Sequence, residues 1–414
     1  MTYRASRFLR RNRLVVTVAA LGLAGVMAGI GISVTESRRA QRRFDDLRHL
    51  AHFLIFDAYS GLEQLPGSTK LRLSVIAEAQ RYLDELSRDK SVDPSLSLEL
   101  AVSYIRLGGA RGMPYGPNLG DTTGALLSLE KGRAILEKIA GKNPDDIEVQ
   151  IKLCSTTEQL GTVLERLGRF EEAQAKLDRA LTIVSGMQRR VPGNLRVRLL
   201  AGSVELSYSY LEALRAEKTR SIQGFGTALE HYHRALEQFA PLKETNEIAA
   251  RDTATASFHI SYVYWKMGDL TGNPEDFERA LEVQLQGTEI TRTLAAKHPD
   301  EPKYLRSVAD NLNEIGYTLT KLGRHSEAEA KFRESLARFE ALAAADPQNR
   351  EAQKDVADVY RYFSACLVQS GRKTEGQALA RRAIAIYDRI FAADPSNVEV
   401  QNARSEVNAV LHQD

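Results

Sequence analysis

Few residues in this sequence stand at the spacings that catalysis or metal binding needs. His231 and His233 lie two apart, about 200° around a helix, so they cannot share a metal ion. His49 and His52 lie three apart on one face, but no Cys or carboxylate joins them at ligand spacing. Cys154 and Cys366 are 212 residues apart and read as small core residues. A bridge between them would need Cα atoms within about 7 Å. The acidic pairs Asp45-Asp46, Asp145-Asp146 and Glu171-Glu172 fall at expected helix starts or turns, where a carboxylate suits the helix dipole. No Ser–His–Asp order emerges. The chain is therefore expected to be no enzyme, with no cofactor and no metal.

Groups suited to recognition are more concentrated. Tyr262, Tyr264, Trp265 and Lys266 cluster in one expected helix. Asn311, Asn313 and Tyr317 follow in a later one, and Tyr360, Arg361 and Tyr362 in another. Aromatic and Arg side chains often anchor interfaces. Half of them must face a core, and the pattern alone does not divide them. The candidate contacts for a protein or peptide ligand are Tyr262, Trp265, Lys266, Asn313, Tyr317 and Arg361. The totals argue against nucleic acid as that partner. The 56 basic and 54 acidic residues nearly balance, and no basic run interleaved with aromatics lies beyond the N-terminal region.

These residues need a scaffold, and the prolines mark its rhythm. Pro144 to Pro192, Pro299 to Pro347 and Pro347 to Pro395 are each 48 residues, and Pro94 to Pro144 is 50. Each sits in a polar break (VDPS, NPDD, VPGN, HPDE, DPQN, DPSN) where proline stops a helix. The 107 residues from Pro192 to Pro299 hold two periods, with KETNEI around Asn246 as the break lacking a proline. Such periodicity marks a repeat architecture. Within a period, Gly161, the turn Leu167-Gly168-Arg169-Phe170, and Ala173, Leu177 and Ala180 describe two packed amphipathic helices. Gly316, Leu322, Gly323, Ala328 and Phe332 repeat the scheme. In the next unit Ser364 replaces the packing Gly and Gly376 the Ala, but Gly371 and Ala383 remain.

The pattern resembles the tetratricopeptide repeat, whose standard length is about 34 residues. The longer period implies longer helices. The expected fold is all-α: a rod of about six hairpins over 95–414, with first helices lining a concave face. Insertions are expected at three hairpin tips: Gly108 to Gly124, Arg220 to Thr227 and Gly268 to Asp276. Their Gly, Pro, Asn and Asp content is turn chemistry, and insertions in repeat proteins cluster on one face, often the binding face.

The N-terminus reads differently. Residues 1–13 form a short basic tail. Leu14 to Val34 is 21 residues without a charge, long enough to cross a hydrocarbon core of about 30 Å as a transmembrane helix. Five arginines precede it and five follow by Arg48, so the positive-inside rule gives no direction. Gly25, Gly29 and Ser33, four apart, suit close packing of two spans and hence a homodimer. Cleavage after Val26-Met27-Ala28 is the competing reading, a secreted solenoid. Residues 35–94 then hold a helix continuing from the span and a capping hairpin, broken at Leu65-Pro66-Gly67-Ser68-Thr69.

RASRFLRRNR, the span, RRAQRRFDDLRHLAHFLIFDAYSGLEQLPGST and PYGPNLGDTTGAL together resemble the C-terminal half of bacterial transmembrane serine/threonine protein kinases with a tetratricopeptide extracytoplasmic region. The resemblance implies a single-pass inner-membrane protein with its repeats outside, in signalling. The kinase half is missing: there is no Gly-rich loop with a strand Lys, no HRD, no DFG and no APE, and Gly224-Phe225-Gly226 lacks the third glycine. Two functions are expected from these features: a non-catalytic binding scaffold or sensor, or the sensor half of a split or truncated kinase.

Overall fold

The computed structural model of the chain describes residues 94–114 and 118–411 and, before them, 68–86, 52–63 and a few positions between 35 and 50. Among the described residues the fold is all-α. A π-helical turn, Phe53–Ala58, runs into a short helix, Tyr59–Glu63. Fourteen longer helices follow: α1 (Thr69–Leu86), α2 (Pro94–Gly112), α3 (Thr122–Lys142), α4 (Ile147–Arg166), α5 (Phe170–Arg190), α6 (Leu195–Thr219), α7 (Ile222–Phe239), α8 (Glu247–Thr271), α9 (Pro274–Lys297), α10 (Pro302–Lys321), α11 (His325–Ala345), α12 (Arg350–Gln369), α13 (Lys373–Ala393) and α14 (Val398–Leu411). Helices α2 to α13 pair as six hairpins stacked in sequence order, α1 packs on α2, and α14 covers the last hairpin.

The turns inside the hairpins are set by local chemistry. Gly168, Gly323 and Gly371 have φ of +70°, +73° and +85°, a conformation that costs a Cβ-bearing residue. The following Arg169, Arg324 and Arg372 amides each bond back to the carbonyl five residues earlier, at 2.8–2.9 Å, closing the helix end. Between hairpins, an Asn or Asp two residues after the proline caps the next helix. Asp146, Asn194, Asn349 and Asn397 do this, and Asn246 does the same without a proline. Where two helices cross, Gly316 leaves room for Phe332: a Cβ there would lie 2.7 Å from the ring.

Three expectations change. The second and third tip insertions are absorbed as helix, since α6 and α8 run to 25 residues against 20 in α4. Ser221 caps α7 and Asn273 caps α9, so the turn residues there are cap chemistry. The solenoid is also not an open rod. It coils until its two ends meet: Thr122 Oγ1 donates to Asp394 Oδ2 at 2.6 Å, 272 residues away, and Arg166 pairs with Glu351 and Glu399 at 3.2 and 2.8 Å. The first expected insertion forms part of this seam, with Gly120 against the Arg350 side chain.

The third change concerns location. The expected single-pass membrane protein is not upheld: among the described residues no helix is long and apolar enough to cross a membrane. The segment 14–34, with Gly25, Gly29 and Ser33, lies outside the described residues, as does the basic tail 1–13.

Candidate functional site

Coiling the solenoid until its ends meet encloses a space, and the first helices of the second to sixth hairpins face it. Two adjoining cavities of about 450 and 600 Å³ result. Glu165, Tyr210, Phe258, His259, Arg306 and Asp310 border both. The walls come chiefly from α4, α6, α8, α10, α12 and α14, because the second helices pack outside. Each volume is in the range of small-molecule and side-chain pockets.

All six residues expected to contact a partner line the smaller cavity: Tyr262, Trp265, Lys266, Asn313, Tyr317 and Arg361. Three helices bring them together. Trp265 on α8 packs its ring 4.1 Å from that of Tyr317 on α10, and Tyr317 meets Tyr362 on α12 edge-on at 4.8 Å. Tyr262 stands edge-on to Trp265 at 5.2 Å. Of the neighbouring aromatics, Tyr360 turns into the core.

The polar groups of this wall fall into two kinds. Most are tied down. Tyr262 and Lys266 both bond Glu217, Tyr317 donates to Asp269 at 2.8 Å, and Arg361 pairs with Asp358 and Glu406. Others are buried without a partner. Trp265, only 2% exposed, leaves its indole N–H unbonded, and Asn313, 5% exposed, leaves its amide oxygen unbonded. His259 Nδ1 is unbonded on the border between the cavities. Burial holds the His259 imidazole down, at about 4, so it adds no positive charge near neutral pH. A buried polar atom left unpaired costs about 1–3 kcal/mol unless a water or a ligand group meets it.

Charge is uneven too. Ten carboxylates and five cationic side chains line the smaller cavity. One group of them is compensated. Arg306 bonds Asp355 at 2.6–2.7 Å, and Lys354 bonds Asp358 and Glu399 at 2.9 and 2.8 Å. Burial alone would raise Glu399, but Arg166 and Lys354 outweigh it and bring the carboxyl down to about 2. Glu314 stands apart, with no hydrogen bond or ion pair among the described residues. Burial lifts its carboxyl to about 8; Arg361 opposes this, and Asp310 and Asp358 add to it. Asp310 is lifted to about 7, by burial more than Arg306 can offset.

These acidic groups were not expected from the sequence. Their signal was present: Glu351, Lys354, Asp355, Asp358 and Arg361 step along α12 at helical spacing. A charged stripe normally reads as a solvated face. Here ring closure turns that face inward.

The remaining chemistry-capable groups are structural. Cys154 and Cys366 are buried and unbridged, and burial pushes both thiols up. His231 stacks on Tyr208 at 4.4 Å and bonds Glu205 at 2.6 Å. Among the described residues no group of His, Cys, Asp and Glu could hold a metal.

One repeat of the array also matches a known family model. A tetratricopeptide repeat model matches residues 308–348, spanning most of α10 and the whole of α11. No curated protein sequence matches the chain. Among solved structures, it is similar to a signal transduction ATPase with numerous domains carrying a tetratricopeptide repeat sensor, from Pyrococcus horikoshii. That match has 13% identity and a TM-score of 0.46, covering 89% of this chain and 47% of the other. It is also similar to a Rap protein complexed with competence and sporulation factor (12% identity, TM-score 0.40, covering 88% and 99%). A nuclear import adaptor that regulates sterol synthesis in hypoxia gives the same figures. The chain thus spans about half the length of the first of these and contains a tetratricopeptide repeat region within an all-α solenoid.

Proposed function

We propose that this protein binds a peptide segment of a partner inside its coiled solenoid, as a scaffold or sensor that carries out no catalysis. One observation carries the reading: the unbonded Trp265 N–H and Asn313 oxygen on the wall of one cavity. The first is a donor and the second an acceptor, the two functions that a peptide unit answers. The aromatic ring cluster beside them offers rigid apolar contact at low entropic cost.

The test is a screen of a random nine-residue peptide library against the full-length chain and against Asn313→Leu. The substitution keeps the branched heavy-atom shape and removes an unpaired buried acceptor, so thermal stability should hold or rise. Capture of the wild type's best peptides should fall about ten-fold or more. If the wild type enriches no peptide, or the variant captures them equally well, the reading fails.

A second reading is the sensor half of a split or truncated serine/threonine kinase. It draws only on the resemblance of the block ending at Thr69 and of the loop from Pro114 to Ala125. A kinase reading frame immediately upstream in the DNA would support it, and unrelated sequence there would remove it.

A further inference from the structure

We infer that Glu314 is the anchor for a basic side chain, arginine or lysine, of the bound peptide. The inference rests on the peptide-binding reading above and deepens it.

Glu314 lies on α10, one residue from Asn313 and three from Tyr317, on the wall of the smaller cavity. Its carboxylate has no partner among the described residues. The cations nearest it are committed elsewhere: Lys266 from α8 to Glu217, and Arg361 from α12 to Asp358 and Glu406. Asp310 on its own helix and Asp358 on α12 are the other charged groups facing it, both acidic. A partly buried carboxylate beside two other acids, with the nearest cations already paired, is costly to ionise unless a further cation joins it.

The unbonded atoms of Trp265 and Asn313 are the independent sign that the same wall meets a ligand. They suit the peptide backbone, and Glu314 then meets the side chain beside it. Trp265 and Tyr317 line the same cavity and offer aromatic faces to the aliphatic stem of an Arg or Lys. An acidic occupant is disfavoured, since carboxylates outnumber cationic groups two to one on this wall.

Titration behaviour agrees. With its carboxyl lifted to about 8, Glu314 is largely protonated at neutral pH in the free protein. Docking a cation requires it to ionise, so binding releases a proton, and affinity should rise from about pH 6 to about pH 8.

The experiment uses the full-length chain and four peptide sets, identical except for a central Arg, Lys, Gln or Glu. Fluorescence anisotropy measures binding at several pH values. The Arg and Lys sets should bind about ten-fold or more tighter than the Gln set, with Glu weakest. Glu314→Gln should remove that preference and flatten the pH dependence without weakening the Gln peptides. Glu314→Lys should invert the preference toward Glu. Free argininamide and spermidine are the control arms: tight binding of either, equal to that of the Arg peptides, would make the occupant a small cation and overturn the inference. Peptides that bind with no preference for basic residues would also overturn it and leave the peptide reading standing. Failure of all four sets to bind would sink both.

Discussion

At the scale of single residues, the interior concentrates groups whose ionisation burial has altered. Glu314 is the clearest, because its carboxyl is raised to about 8 while the unfolded chain would titrate in the ordinary carboxylate range. The native state therefore holds its proton over a pH interval in which the unfolded state has lost it. Stability from this group is full below the unfolded value and falls as pH rises to about 8. Glu314→Gln stays neutral throughout, so its melting temperature should match wild type in mild acid and exceed it by a growing margin up to about pH 8. Equal margins at every pH would show that Glu314 does not titrate there. The same reasoning separates residues legible in the sequence from those that were not. Tyr262, Trp265 and Tyr317 stand out as aromatic clusters wherever they are placed. Glu314 and Asp310 look like ordinary surface acids until the fold surrounds them.

At the scale of elements, the hairpin is specified by contacts a few residues long. The Leu-Gly-Arg turn and the Asx cap after proline recur because each satisfies helix-end groups locally. Replacing Gly316 by Ala would drive a methyl group to 2.7 Å from the Phe332 ring. The expected cost is about 1–3 kcal/mol, read from urea unfolding. Gly323→Ala, at φ +73° with nothing within 4 Å of the added carbon, tests the turn without a clash. Its cost should be about 1 kcal/mol, from backbone conformation alone. Helix lengths were less legible. The Gly and Asn content of 220–227 and 268–276 reads as loop, but α6 and α8 continue until Arg220 and Gly272 take left-handed φ. Packing against α7 and α9 overrides weak local propensity there.

At the scale of the whole molecule, the seam decides whether there is an interior. Arg166 and Glu351 are each 4% exposed in their side chains and pair across 185 residues of sequence. Removing one member of such a pair leaves a charge buried without full compensation. Arg166→Met should destabilise by about 3–5 kcal/mol, less if Arg306, already 3.4 Å from Glu351, takes over part of the load. Small-angle scattering should show a larger radius of gyration as the ends part, and peptide capture should weaken even though the substitution removes no group from α8 or α10. A variant with wild-type dimensions and capture would show that the seam does not hold the cavity together.

The sequence by itself determined what short-range physics can encode: helices, their caps, the 48-residue period and the helices that carry the aromatic clusters. All six candidate residues lie in three first helices, and those helices form one wall. Only the tertiary structure decided that the rod coils closed, that α12 turns its charged stripe inward, and that Glu314 stands without a partner. The reason is that a small rotation between neighbouring hairpins accumulates over the whole array. Its sum determines whether residue 122 meets residue 394, and no local pattern records that sum.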